Sequence, residues 1–318
     1  METAAGTFKL LLQRLVLLAF LALALWFCWV YRSTLAAFSQ LAPVNLLLIL
    51  VSYLFLYLLH AAMLRVLLRN RGRVVSLASL LTFNAWFALL GNATLLKESP
   101  TAARATALRQ HFQVPVNLSV GLLAMISLAT IFTNAAAGIF TGVYAMLVHG
   151  EAIPPLYWLV LSTTLLLCVS IVLGIYRLGG VGKLSRKLQI WVANLHAVFT
   201  GTNHNEVIGL IALVMLTLVP RVLALSLLFS AIGAPLPIHY LVFVAIFVNL
   251  FVINVTPANV GIRELVIVLL VGHLEPTIAQ VICVLLVDRV LQLLIVTLLG
   301  MGGRHQLKQD KAALHAAG

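Results

Sequence analysis

Apolar residues run along this chain in blocks of about 20, the length a helix needs to cross a bilayer. Clear blocks cover 15–31, 45–68, 156–176, 207–231 and 278–300. Three more regions, 76–96, 114–148 and 240–272, are apolar but interrupted or of awkward length. The pattern predicts an all-α, polytopic membrane helix bundle. It leaves open how many of the irregular regions cross.

Basic residues constrain the crossings. The segments 1–14, 65–73, 97–109, 177–187 and 301–311 carry 2, 4, 3, 4 and 3 Lys and Arg, which is 16 of the 20. The segments 32–44, 150–155, 232–239 and 272–277 carry only Arg32. Because short basic loops stay in the cytoplasm, the first group is expected inside and the second outside. Both flanks of 76–96 are then inside, so the unit 76–113 is expected to dip in and return as a re-entrant hairpin. Residues 114–148 are expected to cross as one long, tilted or kinked helix. By the same parity 240–272 enters from outside, breaks at Thr256-Pro257, and returns. The expectation is one integral membrane domain, 1–318, of about six full spans plus two oppositely oriented re-entrant hairpins. Its halves, 1–150 and 151–318, carry one hairpin each, the layout of an inverted repeat. No residue-level repeat is visible. The alternative stays open that 76–96 and 114–132 are ordinary spans with three basic residues outside.

Composition fits this reading: 63% of residues are hydrophobic and 9% charged, against about 25% charged in a soluble domain. The formal net charge of +12 sits in short loops, where it serves orientation and attraction to anionic headgroups, not nucleic-acid binding. The run 15–31 is longer than a signal-peptide core and is expected to be a retained first span. Both termini are expected in the cytoplasm, with the protein in the inner (cytoplasmic) membrane of the cell. Cys28, Cys168 and Cys283 are far apart and read as small core residues. His60 and His204 stand without other ligands at metal spacing. No metal and no cofactor is expected.

Functional interest concentrates where charge or a helix break falls at membrane depth. In Asn254-Val-Thr-Pro-Ala-Asn-Val-Gly-Ile-Arg-Glu264, Pro257 removes a donor and pushes Thr256 out of helical geometry. Asn259 and Gly261 tolerate unusual backbone angles. A helix restarting near Val260 would aim free amide groups at an anion, with the fork of Arg263 beside it. Glu264 either partners Arg263 or neutralises a nearby cation. Asp288 and Arg289 interrupt the last span and are open to cross-neutralisation with Arg263 and Glu264, or to a helix–helix salt bridge that only fixes the bundle. Arg221, after Pro220 deep in 207–231, calls for a cavity or a partner such as Asp288. Asn84, Asn92, Asn117, Asn249 and Asn254 more often bond a neighbouring helix than a substrate. Ala135-Ala-Ala-Gly138 and Gly142 permit close helix approach. Trp26, Trp29, Tyr31, Tyr157, Trp158 and Tyr176 suit an interfacial belt. The segment 183–205 has the amphipathic character of a helix lying on the membrane surface.

The run Thr256–Glu264, the turn at Gly272 and Asp288-Arg289 in the last span resemble the C-terminal signature of the lysylphosphatidylglycerol synthase transmembrane region. These proteins are also called flippase-like membrane proteins. The family pattern reads Thr-Pro-Gly-Gly-(Ile/Leu/Val)-Gly-x-Arg-Glu, and here Ala258 and Asn259 replace the middle glycines. Toward the N-terminus the family carries Pro-x-x-x-Gly-Glu-x-x-Arg, which Lys97-Glu-Ser-Pro-Thr-Ala-Ala-Arg104 matches at Arg104 but not at Gly-Glu. Ile126-Ser127 and Thr130 stand where the family's Glu-Arg-x-x-Asp charges fall. The resemblance implies a stand-alone lipid transporter or flippase, handling an anionic phospholipid or polyprenyl-phosphate-linked lipid between leaflets. Arg104, Arg221, Thr256, Asn259, Arg263, Glu264, Asp288 and Arg289 are the candidate substrate-binding residues. Its partners are a lipid with a phosphate headgroup and the bilayer, with a homo-oligomer or an envelope-biosynthesis partner left open. A membrane enzyme acting on a lipid-linked substrate, or a non-transporting scaffold of such a pathway, are the competing readings. No catalytic constellation is evident, and no nucleotide-binding loop exists to couple ATP directly.

Overall fold

A computed structural model describes residues 29–93, 100–178, 186–250, 267 and 277–316. The region 15–31 lies almost wholly outside them. All elements among the described residues are helical: α1 (Arg32–Ala37), a 3-10 turn (Phe38–Gln40), α2 (Pro43–Arg69), α3 (Leu77–Ala93), α4 (Pro100–Phe112), α5 (Val116–His149), α6 (Pro155–Leu178), α7 (Arg186–Thr200), α8 (His204–Ala231), α9 (Ile238–Leu250) and α10 (Ile278–Ala316). The protein is an all-α polytopic membrane bundle. Five of these helices are long and apolar enough to cross a membrane: α2, α5, α6, α8 and the Ile278–Met301 part of α10.

Chain chemistry sets the helix limits. Pro43 opens α2 in the first turn, where its missing donor is harmless. Gly150 closes α5 at φ 66°, a left-handed cap that glycine adopts without strain. Asn203 caps α8 by accepting from the Glu206 amide at 2.9 Å. The expected single long helix over 114–148 is α5, whose 34 residues rise about 50 Å, well beyond a hydrocarbon core of about 30 Å. Among the described residues α3 runs for 17 residues and α4 and α9 for 13 each.

Two apolar clusters fill the bundle. One joins Ile49, Tyr53 and Leu56 of α2 to Ala135 and Ala145 of α5, Leu225 and Phe229 of α8, Phe243 and Phe247 of α9, and Val281 and Leu285 of α10. The other joins Leu64 and Leu67 of α2 to Leu80 and Phe83 of α3, Leu108 of α4, Leu122 of α5, and Leu210 and Val214 of α8. Helices α2, α5 and α8 thus belong to both clusters, one at each end. Helix α2 packs along α8, α3 packs on α10, and α9 packs on α5.

Small residues allow the closest contacts. A Cβ on Gly138 would lie 2.7 Å from Leu161, and one on Gly142 2.8 Å from Trp158 and 2.9 Å from Tyr157. Tyr157 is therefore not an interfacial residue as its position in the sequence suggests. It is 2% exposed and donates to the Gly138 carbonyl at 2.5 Å, because the glycines open a slot between α5 and α6 that its ring fills. The two ends are tied by polar contacts. Arg71 pairs with buried Glu206 at 3.1 Å and donates to Thr202 Oγ1 at 2.8 Å, joining the end of α2 to the α7–α8 corner. At the opposite end of α8, Glu151 accepts from His239 Nε2 at 3.0 Å, fastening the α5–α6 turn to the start of α9. Gly142→Val is expected to destabilise the protein by about 1–3 kcal/mol through overpacking, read as a lower midpoint of thermal unfolding in detergent. An unchanged midpoint would mean that α5 and α6 do not meet at this face.

A buried charge site between the spans

Three spans bring the site together. From α2, Tyr53, Tyr57 and His60 stand at i, i+4 and i+7, one face of the helix. From α8 comes Arg221, directly after the internal Pro220. Proline has no amide hydrogen to give the carbonyl one turn back, so α8 is locally weakened beside the arginine. From α10 come Asp288 and, one turn on, Gln292.

Asp288 is fully buried and Arg221 is 6% exposed. The two form an ion pair, Arg221 Nη1 to Asp288 Oδ1, at 3.5 Å. Charge-assisted N–H···O bonds usually run about 2.7–2.9 Å, so the pair is loose. The carboxylate is held more closely by neutral donors: the Tyr53 hydroxyl donates to Oδ1 at 2.5 Å and Gln292 Nε2 donates to Oδ2 at 2.5 Å. On the arginine, Nε and Nη1 are buried and have no hydrogen-bond acceptor among the described residues. The acid is well satisfied and the base is not.

A second arginine bonds between α4 and α3. Arg104 of α4 donates through Nη2 to Asn84 Oδ1 of α3 at 2.5 Å. Its Nε, and Nδ2 of Asn84, are also buried without acceptors among the described residues. A separate polar contact joins Asn249 of α9 to Asn134 of α5 at 3.3 Å, the helix–helix bond expected of membrane asparagines.

Of the residues singled out in the sequence, Arg221 and Asp288 meet directly, while Arg104 bonds Asn84 of the neighbouring helix α3. Arg289 is half-buried, about 100° around α10 from Asp288. Thr256, Asn259, Arg263 and Glu264, with the rest of the broken motif, lie outside the described residues. Tyr53, Gln292 and His60 were not singled out as site residues. Their signal was present: a polar face at i, i+4 and i+7 in one apolar span, and an Asp-x-x-x-Gln pair in another. Among the described residues no group of three His, Cys, Asp or Glu side chains is placed to hold a metal ion. The arrangement offers donors without acceptors at the centre of a membrane bundle, which suits holding an anion.

Residues 14–300 match the family described as the lysylphosphatidylglycerol synthase TM region, a membrane domain tied to lipid handling. No curated protein and no solved structure matches the chain. With nearly its full length matched, and with the apolar spans and intramembrane charges described above, the chain belongs to the lysylphosphatidylglycerol synthase TM-region family.

Proposed function

We propose that this protein is a lipid transporter of the flippase-like kind, carrying an anionic phospholipid or a polyprenyl-phosphate-linked lipid between leaflets of the cytoplasmic membrane. The observation that carries this reading is the buried Arg221 guanidinium, loosely paired with Asp288 and without acceptors on Nε and Nη1 among the described residues. Intramembrane ionisable groups usually mark a substrate or ion path. A phosphate headgroup supplies the missing acceptors while the acyl chains stay in lipid.

In this reading α3–α4 and the region 240–272 form re-entrant hairpins opening from opposite faces, with one hairpin in each half, 1–150 and 151–318. The way α3 packs on the last span of the second half and α9 on the last span of the first supports this. Arg104 serves the headgroup from the first hairpin. Thr256, Asn259, Arg263 and Glu264 serve it from the second, and Arg289 completes the cationic lining beside Asp288. Both termini lie in the cytoplasm.

Two experiments test this. Purified protein in liposomes, with fluorescent phospholipid or polyprenyl phosphate and a membrane-impermeant quencher, is expected to speed leaflet exchange. Arg221→Gln and Arg263→Ala are each expected to slow exchange about tenfold or more, the loss of one charge-assisted contact. Exchange no faster than in empty liposomes rejects the transporter, and chemically altered lipid in its place identifies an enzyme. For topology, single cysteines are placed in a background lacking Cys28, Cys168 and Cys283. Asn70→Cys and Gln110→Cys are expected to react with impermeant maleimide from the cytoplasmic side, and Pro235→Cys and Thr277→Cys from the opposite side. Labelling of positions 70 and 110 from different sides rejects the first hairpin.

A further inference from the structure

The two apolar clusters share three spans, and each span passes from one cluster to the other at a definite place. On α2 the change falls between Leu56 and Ala61, on α5 between Met125 and Ala135, and on α8 between Val214 and Leu218. Each of these stretches therefore crosses the boundary between the clusters. Two of the three are softened there. Pro220 has no amide hydrogen, so the Leu216 carbonyl, which lies between Val214 and Leu218, loses its helical partner. The Thr217 hydroxyl donates to the Val214 carbonyl at 2.6 Å and does not replace that bond. On α5, three side chains in succession bond back to their own helix. Ser127 donates to the Leu123 carbonyl at 2.9 Å, Thr130 to Ile126 at 2.8 Å and Asn134 to Thr130 at 2.8 Å. A side chain that competes for a helix carbonyl bends and softens the helix without ending it. By contrast α2 has neither glycine nor proline between 56 and 61 and runs on unbroken.

The polar ties between helices described above fall to one side of this boundary or the other. With the first cluster go Tyr53 and Arg221 on Asp288, Asn249 on Asn134, and His239 on Glu151. With the second go Arg71 on Glu206 and Thr202, and Arg104 on Asn84. Each tie stiffens its own cluster. Close-packed cores resist deformation, so displacement concentrates where the helix ladder is weakest. Helix α10 is a second continuous connection, running from Val281 and Leu285 of the first cluster to meet α3 at Gly300, where a Cβ would lie 3.5 Å from Trp86 Cα. We propose that the two clusters are rigid bodies that rock against each other, with α2 and α10 as continuous struts and 126–134 of α5 and 214–220 of α8 as hinges. The motion shifts Arg221 and Asp288, on the first body, relative to Arg104 and Asn84, on the second. Its use in moving a lipid rests on the transporter reading, whereas the hinge itself does not.

Pairs of nitroxide labels on the full chain in liposomes, with Cys28, Cys168 and Cys283 replaced by alanine, report the motion by double electron–electron resonance. Leu159→Cys with Ile238→Cys lies within the first body, and Gln110→Cys with Ala197→Cys within the second. Gln110→Cys with Ile238→Cys spans the two, and all four positions are exposed. Each within-body pair is expected to give one narrow distance, and the spanning pair a broad or two-peaked distribution. Pro220→Ala restores the amide to α8, and Ser127→Ala with Thr130→Ala frees the carbonyls of α5. Each change is expected to narrow the spanning distribution toward the within-body width. A spanning pair as narrow as the others in the unaltered helices overturns the hinge. Within-body pairs as broad as the spanning one overturn it as well, because the bundle is then loose throughout. A broad spanning distribution that neither variant narrows overturns the assignment of the hinges to α5 and α8. Leaflet exchange is read in the same liposomes, and its slowing in the stiffened variants ties the hinge to transport. A rocking spanning pair with exchange no faster than in empty liposomes sinks the transporter and leaves the hinge. Fast exchange with a narrow spanning pair does the reverse.

Discussion

Taking a guanidinium and a carboxylate out of water is costly, and their attraction offsets the loss only when the remaining donors and acceptors are also met. The Arg221–Asp288 pair meets that condition on one side. Asp288, fully buried, takes donors from α2 and from its own helix. This requirement draws the bundle together. Tyr53 must reach α10 from α2, and Arg221 must reach it from α8, so three helices distant in sequence share one register. The apolar clusters supply the driving force for burial without specifying that register, since leucine-rich faces tolerate sliding better than a polar triad does.

Polar contacts at the two ends follow the same logic at lower stakes. Arg71 with Glu206 and Glu151 with His239 join elements that the long helices alone would leave loosely related. Each brings a short element against a long one: the α7–α8 corner against α2, and α9 against the α5–α6 turn. Glycine does the corresponding work where apolar faces meet. Gly138 and Gly142 admit the Tyr157 ring between α5 and α6, and Gly121 admits Val198 between α5 and α7.

Much of this was legible in the chain. The blocks 45–68, 156–176 and 207–231 reappear as α2, α6 and α8 with ends shifted by a few residues, because apolar length is a strong signal and capping residues fix the ends. The interrupted 114–148 is one helix, since Thr130 and Ser127 bond back to carbonyls one turn earlier and so do not break it. Arg221 and Asp288 were visible as charges needing partners, with Asp288 one candidate partner for Arg221 beside a cavity, and the structure pairs the two. Tyr53 and Gln292 were not visible as site residues, because neither is charged and their role depends on which helix faces which. Tyr157 misled for a related reason. A tyrosine near a span end normally seeks the interface, but two glycines on the neighbouring helix gave it a buried slot and a carbonyl.

The departures from the family's N-terminal pattern acquire a physical meaning here. Where relatives carry Glu-Arg-x-x-Asp, this chain has Ile126-Ser127 and Thr130, and the two hydroxyls are spent on their own helix at 2.9 and 2.8 Å. That stretch of α5 therefore brings no charge. Charge on the neighbouring helices comes from Arg221 on α8, Asp288 on α10 and Arg104 on α4, and Asp288 is already met by Tyr53 and Gln292, so it needs no polar group from α5.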